Sequence, residues 1–169
     1  MATLRDIYLY CTACRAKLSD HGSAKVCPNC GKQYYFNPLP NVTILITNQR
    51  AEILFIERAA EPFKGWWDLP GGFVENGESL EEAAHREAEE EVGAKLEQLR
   101  YTASVPTTYE LKGITYSLIL VFFEARLAEG AGLMGTNEAM QYKFFGKKAI
   151  PLHKVAFEAQ RHFLESYQA

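Results

Sequence analysis

The stretch GGFVENGESLEEAAHREAEEEVGA, residues 71–94, carries eight glutamates between Glu75 and Glu91, with Arg86 as its one lysine or arginine. Its net charge is therefore −7 over residues 75–91, and the remainder of the chain carries +4, because the total is −3. This concentration of like charge, next to two adjacent glycines, is the feature that decides how the rest of the sequence is interpreted.

A helix is predicted across the second half of this stretch. Ser79 and Glu82 have the spacing of a capping box, and Gly93 supplies a C-terminal stop. A stripe of apolar residues at every fourth position can pack against a sheet. Its members are Leu80, Ala84, Ala88 and Val92.

Three carboxylates share one face of this predicted helix. Glu87, Glu90 and Glu91 stand at positions i, i+3 and i+4. Two carboxylates about 6 Å apart repel by roughly 3 kcal/mol at an effective dielectric constant of 20. A divalent cation that prefers oxygen ligands, Mg²⁺ or Mn²⁺, removes this conflict. We therefore expect a metal site here, whereas Glu75, Glu81, Glu82 and Glu89 are expected to form a solvated face.

Two neighbouring features suit such a site. Arg86 can hold one carboxylate in its binding rotamer, and Glu78 can turn back toward Arg86. The Gly71–Gly72 pair lets the backbone come close, because neither residue has a Cβ.

All four cysteines lie before residue 31, as Cys11-x-x-Cys14 and Cys27-x-x-Cys30. This spacing is typical of a tetrahedral zinc ribbon with no open ligand position, which predicts a structural Zn²⁺ site. Two disulfides are the alternative, but they form mainly in secreted proteins. The first residues lack the features of a secretory signal, so a cytoplasmic location is expected.

Composition narrows the class of protein further. No apolar run approaches the roughly 20 residues that span a bilayer, so no membrane partner is expected. The net charge of −3 argues against general affinity for nucleic acid. The predicted organisation is a zinc ribbon over residues 1–36 and a larger domain over residues 37–169.

The larger domain has alternating strand and helix signals. Strands are predicted at 42–47, 53–56, within 95–105, at 114–127 and at 142–145, with a hairpin turn at 48–51. A last helix is predicted from about Leu152 to Tyr167. The simplest architecture for this order is an α/β fold with a mixed sheet between helices.

The acidic stretch resembles the Nudix box, G-x5-E-x7-R-E-U-x-E-E-x-G-U, where U is aliphatic. The matching positions are Gly72, Glu78, Arg86, Glu87, Glu90, Glu91 and Gly93, with alanine at the U positions 88 and 94. The lead-in GWWDLPGG, residues 65–72, and the preceding ribbon are similar to those of zinc-ribbon Nudix proteins. The resemblance implies an α/β/α sandwich around a mixed sheet.

The resemblance also implies hydrolysis of the diphosphate bond in a nucleoside diphosphate linked to another group. Glu87, Glu90, Glu91 and the Gly72 carbonyl are the implied Mg²⁺ or Mn²⁺ ligands, and Glu90, Glu91 and Arg86 the implied catalytic residues. Glu138 matches the position of a further glutamate that serves as base in many members; an exposed loop residue is the alternative.

The sequence indicates the type of reaction more clearly than the identity of the substrate. The segment 101–113 lacks most of the motif of NADH pyrophosphatases, and the chain is most similar to members acting on ADP-ribose or FAD. Arg58, Trp66 and Tyr109 are candidate substrate contacts, since a cation binds phosphate and flat rings stack on a base. Packing is the alternative for each aromatic residue, and an ion pair with Glu57 or Glu61 is the alternative for Arg58.

Two rival functions come from other classes. The first is a non-catalytic module that binds a nucleotide or RNA on the same fold, and the intact carboxylate set argues against it. The second is another reaction on a diphosphate ester, such as isoprenoid isomerisation, for which the predicted zinc site leaves no free cysteine. A homodimer is expected at the family level.

Overall fold

The structure, a computed structural model, describes residues 1–130, 133–134 and 139–168, with only the backbone of Ala139 and Met140. The chain groups into two units. One comprises Met1–Leu39 and Pro106–Ile119, and the other comprises Pro40–Val105 and Leu120–Ala169. The boundary predicted at residue 36 stays a prediction. None of the helices in the described chain has the length and apolar content of a membrane span.

The first unit contains short elements around the cysteines. They are β1 (Ala2–Thr3), α1 (Leu4–Ile7), β2 (Ser19–His21), β3 (Ala24–Val26) and β4 (Gln33–Tyr35). Strands β2, β3 and β4 form an antiparallel sheet. The buried Lys25 side chain donates to the Tyr8 carbonyl at 3.0 Å, which ties this sheet to the segment before the first cysteine.

The remaining strands belong to a larger sheet. The elements after β4 are β5 (Leu39–Thr47), β6 (Ile53–Arg58), β7 (Trp67–Asp68), β8 (Gly71–Phe73), α2 (Leu80–Val92), β9 (Leu96–Leu111), β10 (Ile114–Leu127), β11 (Ala139–Phe145) and α3 (Glu158–Gln168). Leu39 and residues 106–111 and 114–119 of these elements belong to the first unit, and the other residues belong to the second. The strand order is β1-β10-β5-β6-β11, with β7 beside β6, β8 beside β5 and β9 beside β10. Strands β1 and β10 pair in parallel, whereas the pairs β6–β11, β5–β6, β5–β8 and β6–β7 are antiparallel. The sheet is therefore mixed, as predicted.

Residues of β5 alternate between two cores. Ile44 and Ile46 pack with the apolar stripe of α2, whereas Leu45 packs with Leu164 of α3. All are buried, as the period-two pattern of a strand covered on both faces requires. The predicted α/β architecture, with helices on both faces of the sheet in this unit, is confirmed.

Helix α2 forms where the sequence predicts it. Ser79 accepts from the Glu82 backbone at 3.1 Å, and the Glu82 carboxylate accepts from the Ser79 backbone at 2.7 Å. Gly93 ends the helix in the left-handed conformation, with φ of 65°. The capping box and the glycine stop are therefore both confirmed.

The predicted start of the last helix was wrong. The helix starts at Glu158 and not near Leu152, because a 3-10 turn at Leu152–Lys154 and a bridge between Val155 and Trp67 occupy the intervening backbone. The strand predicted within residues 95–105 is confirmed, and β9, which pairs with β10, continues to Leu111.

A buried ion pair joins β6 to β7. The Arg58 guanidinium donates to Asp68 Oδ2 at 2.7 Å and to the Pro62 carbonyl at 2.8 Å, and it lies over the Phe157 ring at 5.0 Å. Asp68 Oδ1 is buried and has no hydrogen-bond partner among the described residues. Burial raises the pKa of the Asp68 carboxyl, and the Arg58 charge opposes that rise. The Arg58 side chain thus links Pro62 to Asp68 of β7.

We expect Arg58→Met to lower the free energy of unfolding by about 3–5 kcal/mol, because it leaves the Asp68 carboxylate buried without its cation. The matched control is Arg100→Met, which removes the exposed pair with Glu124 and should cost less than about 1 kcal/mol. Urea denaturation of both variants measures the difference. Equal losses in the two variants would contradict a stabilising role for the buried pair.

Candidate functional site

The acidic face of α2 is partly buried. Glu87 and Glu91 are 9% and 7% exposed, whereas the Glu90 side chain is 57% exposed. Buried carboxylates are costly without compensating charge or hydrogen bonds, so this face is not an ordinary solvated helix surface. By contrast, Glu81 and Glu89 are exposed, as predicted.

Arg86 connects the carboxylates of this face. Its Nε and Nη2 donate to the two oxygens of Glu78 at 2.6 and 3.0 Å, and its Nη1 donates to Glu87 Oε1 at 2.8 Å and Glu90 Oε2 at 3.0 Å. Its Nη2 also donates to the Phe73 carbonyl at 2.9 Å. Hydrogen bonds from Arg86 lower the pKa of Glu78, and Glu78 in turn raises the pKa of Arg86. The predicted return of Glu78 toward Arg86 is confirmed.

Strand β8 passes very close to this face. The Gly71 amide donates to Glu91 Oε2 at 2.8 Å. A Cβ at Gly72 would lie 2.2 Å from Glu87 Oε1, and a Cβ at Gly71 would lie 2.1 Å from the Val42 carbonyl oxygen. A side chain at Gly71 would clash with the backbone of the neighbouring strand, whereas one at Gly72 would displace the carboxylate end of Glu87.

The three carboxylates predicted to bind a metal ion do not all point in the same direction. Glu87 and Glu91 flank the glycine strand, while Glu90 extends outward to Arg86. Among the described residues, only the four cysteines form a set of three or more metal-ligating side chains with all donor atoms within 4.8 Å. Each of the three carboxylates accepts a hydrogen bond from the protein, which offsets their mutual repulsion. Glu138 lies outside the described residues.

The donor set fits a hard divalent cation. The side chains are all carboxylates, and the Gly72 position leaves no room for a Cβ beside Glu87. Oxygen donors of this kind are the ligands that Mg²⁺ and Mn²⁺ prefer. The residues present therefore satisfy the chemical requirement for such an ion.

The predicted substrate contacts have different surroundings. Arg58 forms an ion pair with Asp68, and not with Glu57 or Glu61 as considered from the sequence. Trp66 is half-buried and packs on Phe63 at 5.6 Å between ring centroids. The neighbouring Trp67 packs against the core on the α3 side. Tyr109 is half-buried in the part of β9 that belongs to the first unit.

The four cysteine sulfurs in the first unit form a tight group. Cys11 and Cys30 Sγ lie 3.6 Å apart, and Cys14 and Cys27 Sγ lie 3.4 Å apart. These distances suit sulfurs that share one tetrahedral ion with bonds of about 2.3 Å. The group is free of disulfides, and Cys11 and Cys27 are buried.

Tyr34 supports this cluster, and sequence reasoning missed its role. Its hydroxyl donates to Cys11 Sγ at 3.2 Å and accepts from the Thr12 amide at 2.9 Å. The hydrogen bond from Tyr34 lowers the pKa of the Cys11 thiol to about 6. No local spacing signal in the sequence connects residues 11 and 34.

Comparison with known proteins identifies a family for most of the chain. The family model described as NUDIX domain matches residues 37–167. A NUDIX hydrolase from Nitrosomonas europaea has a similar structure, with a TM-score of 0.72 and 27% identity over 94% of this chain and 89% of that one.

Two relatives have names that state an activity. An NAD-capped RNA hydrolase NudC from Deinococcus radiodurans is 31% identical over 92% of this chain and 55% of its own length. An ADP-ribose pyrophosphatase from Methanocaldococcus jannaschii is 34% identical over 75% of this chain and 72% of its own length. The chain thus spans about half the length of the NAD-capped RNA hydrolases that it matches.

The family match covers most of the chain and includes the acidic helix, the glycine strand and Arg86. The chain therefore belongs to the NUDIX family.

Proposed function

We propose that the chain hydrolyses the diphosphate bond of a nucleoside diphosphate linked to another group, in a reaction that depends on Mg²⁺ or Mn²⁺. The observation that carries this proposal is the pair of buried carboxylates, Glu87 and Glu91, held against the glycine strand and beside Arg86. The family supplies the class of reaction, and the names of the relatives support a nucleotide-linked diphosphate as the class of substrate.

The residues that would hold the ion are Glu87, Glu90, Glu91 and the Gly72 carbonyl. When bound, the ion neutralises charge that develops on the diphosphate oxygens. Arg86 holds Glu87 and Glu90 in defined rotamers through one nitrogen, so its role is to position these side chains. Its bidentate pair with Glu78 fixes the guanidinium itself.

The chemical step consumes one water. A bond forms between the water oxygen and one phosphorus, the bridging bond from that phosphorus breaks, and a carboxylate takes the water's proton. Glu90 and Glu91 are our candidates for that carboxylate within the described site, and Glu138 stays a further prediction. The products are two phosphate monoesters, one of which is a nucleoside monophosphate when the substrate is ADP-ribose or FAD.

ADP-ribose, FAD or a related dinucleotide is the proposed substrate. The relative named ADP-ribose pyrophosphatase supports the first of these. Trp66 and Tyr109 stay proposed contacts to the flat rings of the substrate. The contacts of Arg58 with Asp68 and Pro62 favour an indirect role, in which Arg58 shapes the segment that carries Trp66.

We propose that the cysteine cluster binds one structural Zn²⁺. Four sulfur donors leave no position for a substrate, and a small unit of this kind gains much of its folding energy from its metal. A cytoplasmic location and a homodimer stay predictions. Exposed apolar side chains of the first unit, among them Leu9, Tyr10 and Tyr35, motivate the homodimer.

We expect Glu90→Gln and Glu91→Gln each to reduce turnover of ADP-ribose by about 100-fold or more, since each removes a charged ligand or proton acceptor. The control is Glu89→Gln, an exposed neighbour on the same helix, which should retain near-normal turnover. AMP release in the presence of Mg²⁺ is the measurement, with circular dichroism to verify folding. Full turnover by a folded Glu90→Gln or Glu91→Gln protein contradicts the role given to that residue, and tight nucleotide binding without hydrolysis by the unsubstituted chain favours a binding module.

We expect Tyr34→Phe to weaken Zn²⁺ binding by about 10- to 100-fold, because it removes the hydroxyl that donates to Cys11 Sγ and retains the ring. Tyr35→Phe is the matched control, since the Tyr35 hydroxyl donates to exposed Gln33. Competition with a chromogenic chelator gives both affinities. Equal affinities in the two variants rule out the supporting role of Tyr34.

A further inference from the structure

The turn between β8 and α2 contains an asparagine followed directly by a glycine. Asn76-Gly77 is the one Asn-Gly pair in the sequence, and both residues are exposed. The Glu78 amide donates to the Glu75 carbonyl at 3.2 Å, which closes a four-residue turn with Asn76 and Gly77 at its centre. Gly77 has a φ of 94°, as the third residue of a type II turn requires. The turn therefore depends on a glycine directly after the asparagine.

This turn leaves the Gly77 amide accessible to the Asn76 side chain. A backbone amide nitrogen attacks the side-chain carbonyl of a preceding asparagine most readily when its own residue has no bulky side chain. At Gly77 the place of a Cβ has no other atom within 4 Å. The amides of Glu75 and Glu78 donate hydrogen bonds, whereas the Gly77 amide donates none to a residue that the structure describes. Neither a side chain nor a hydrogen bond therefore obstructs the attack.

We propose that Asn76 is a site of spontaneous deamidation, and that isoaspartate formed there loosens the acidic site. The Gly77 nitrogen forms a bond to Asn76 Cγ, the Cγ–Nδ2 bond breaks, and ammonia leaves with the amide proton. The product is a succinimide ring, which one water then opens. Cleavage of the new bond to Cγ gives aspartate, and cleavage of the original peptide bond gives isoaspartate. In isoaspartate the backbone runs through the side chain and is longer by one carbon.

The lengthened backbone would lie within the turn that carries Glu78. The Glu78 carboxylate accepts from Arg86 through both oxygens, at 2.6 and 3.0 Å. Its Oε2 also accepts from the Glu75 amide at 2.9 Å, so the side chain and the backbone of Glu78 are both tied to Glu75. An extra carbon between these two residues is incompatible with the geometry of the turn. Isoaspartate therefore moves Glu78 out of alignment with Arg86.

Arg86 transmits this change to the acidic face of α2. Its Nη1 donates to Glu87 and Glu90, and its Nη2 donates to the Phe73 carbonyl on the other side of the turn. Loss of the bidentate pair with Glu78 leaves the guanidinium less constrained, so Glu87 and Glu90 lose their defined rotamers. The effect on a metal ion rests on the proposed function, whereas the deamidation and the release of Arg86 do not.

The chain also contains an asparagine in a protected turn. Asn48 is followed by Gln49, which has a side chain. The Asn48 Oδ1 accepts from the Arg50 and Glu52 amides at 2.9 and 3.0 Å, and its Nδ2 donates to the Glu52 carboxylate at 2.8 Å. These bonds hold the Asn48 amide away from the backbone nitrogen that follows it. Asn48 therefore serves as an internal reference for Asn76.

The first test is mass spectrometry of the full chain after storage in a mildly alkaline buffer. The tryptic peptide 65–86 contains Asn76 as its one side-chain amide, whereas the peptide 33–50 contains Asn37, Asn41 and Asn48, none of which precedes a glycine. We expect the mass gain of amide-to-carboxylate conversion in peptide 65–86 before any in peptide 33–50. Methyl transfer by an isoaspartate methyltransferase identifies isoaspartate. Equal rates of conversion in the two peptides overturn the proposal.

The second test measures the release of Arg86 by nuclear magnetic resonance. We expect the Arg86 Nε–H, which donates to Glu78 at 2.6 Å, to exchange with solvent faster in the stored chain than in the fresh chain. Mn²⁺ affinity should fall by about tenfold, as for loss of a group that orients metal ligands. Stored Asn76→Gln is the matched control, and fresh Asn76→Asp carries the added charge alone. Both should keep the exchange rate and affinity of the fresh chain, since neither has a lengthened backbone.

The two tests separate this inference from the proposed function. Unchanged Arg86 exchange in a chain that contains isoaspartate overturns the link between the turn and the acidic site. Equal acceleration in stored Asn76→Gln also overturns it, because the cause then lies at another residue. Faster exchange in the stored unsubstituted chain alone supports the inference, and absence of Mn²⁺ binding by the fresh chain would then count against the proposed function only.

Discussion

The close approach of strand β8 to helix α2 is the constraint on which the site depends. At Gly72 there is no space for a Cβ, since the Glu87 carboxylate occupies it. At Gly71 the amide meets the Glu91 carboxylate, and the opposite side of the same residue abuts the Val42 carbonyl. The sheet thereby presses a backbone strand against an acidic helix, and it buries two carboxylates that would otherwise be solvated.

This burial would destabilise the fold without compensating charge. Arg86 supplies that charge and is itself immobilised by the bidentate pair with Glu78. One arginine thus joins the segment before the helix, the helix face and the Phe73 carbonyl of the glycine strand.

Features set by neighbouring residues were accessible from the sequence. The capping box, the apolar stripe and the glycine stop of α2 all depend on spacings of a few residues, and the four cysteines occur as two short pairs. Features set by tertiary pairing were not accessible. Arg58 finds Asp68 across a strand pair, Tyr34 reaches Cys11 from a later strand, and Val155 leaves the predicted helix to pair with Trp67. The outward direction of Glu90 likewise depends on which hydrogen bonds Arg86 makes, and spacing alone placed all three carboxylates on one face.

The central claim is that the glycine strand and the carboxylates of α2 together form a divalent-cation site. The most direct test is to measure the Mn²⁺ affinity of Gly72→Ala by electron paramagnetic resonance. The added Cβ meets the flexible end of the Glu87 side chain, so the fold can absorb it while the carboxylate is displaced. Gly146→Ala is the control, because its Cβ would enter open space and its φ of −61° suits alanine. The account predicts Mn²⁺ affinity at least about tenfold weaker for Gly72→Ala and unchanged for Gly146→Ala. Equal Mn²⁺ affinity in the two folded variants would contradict it.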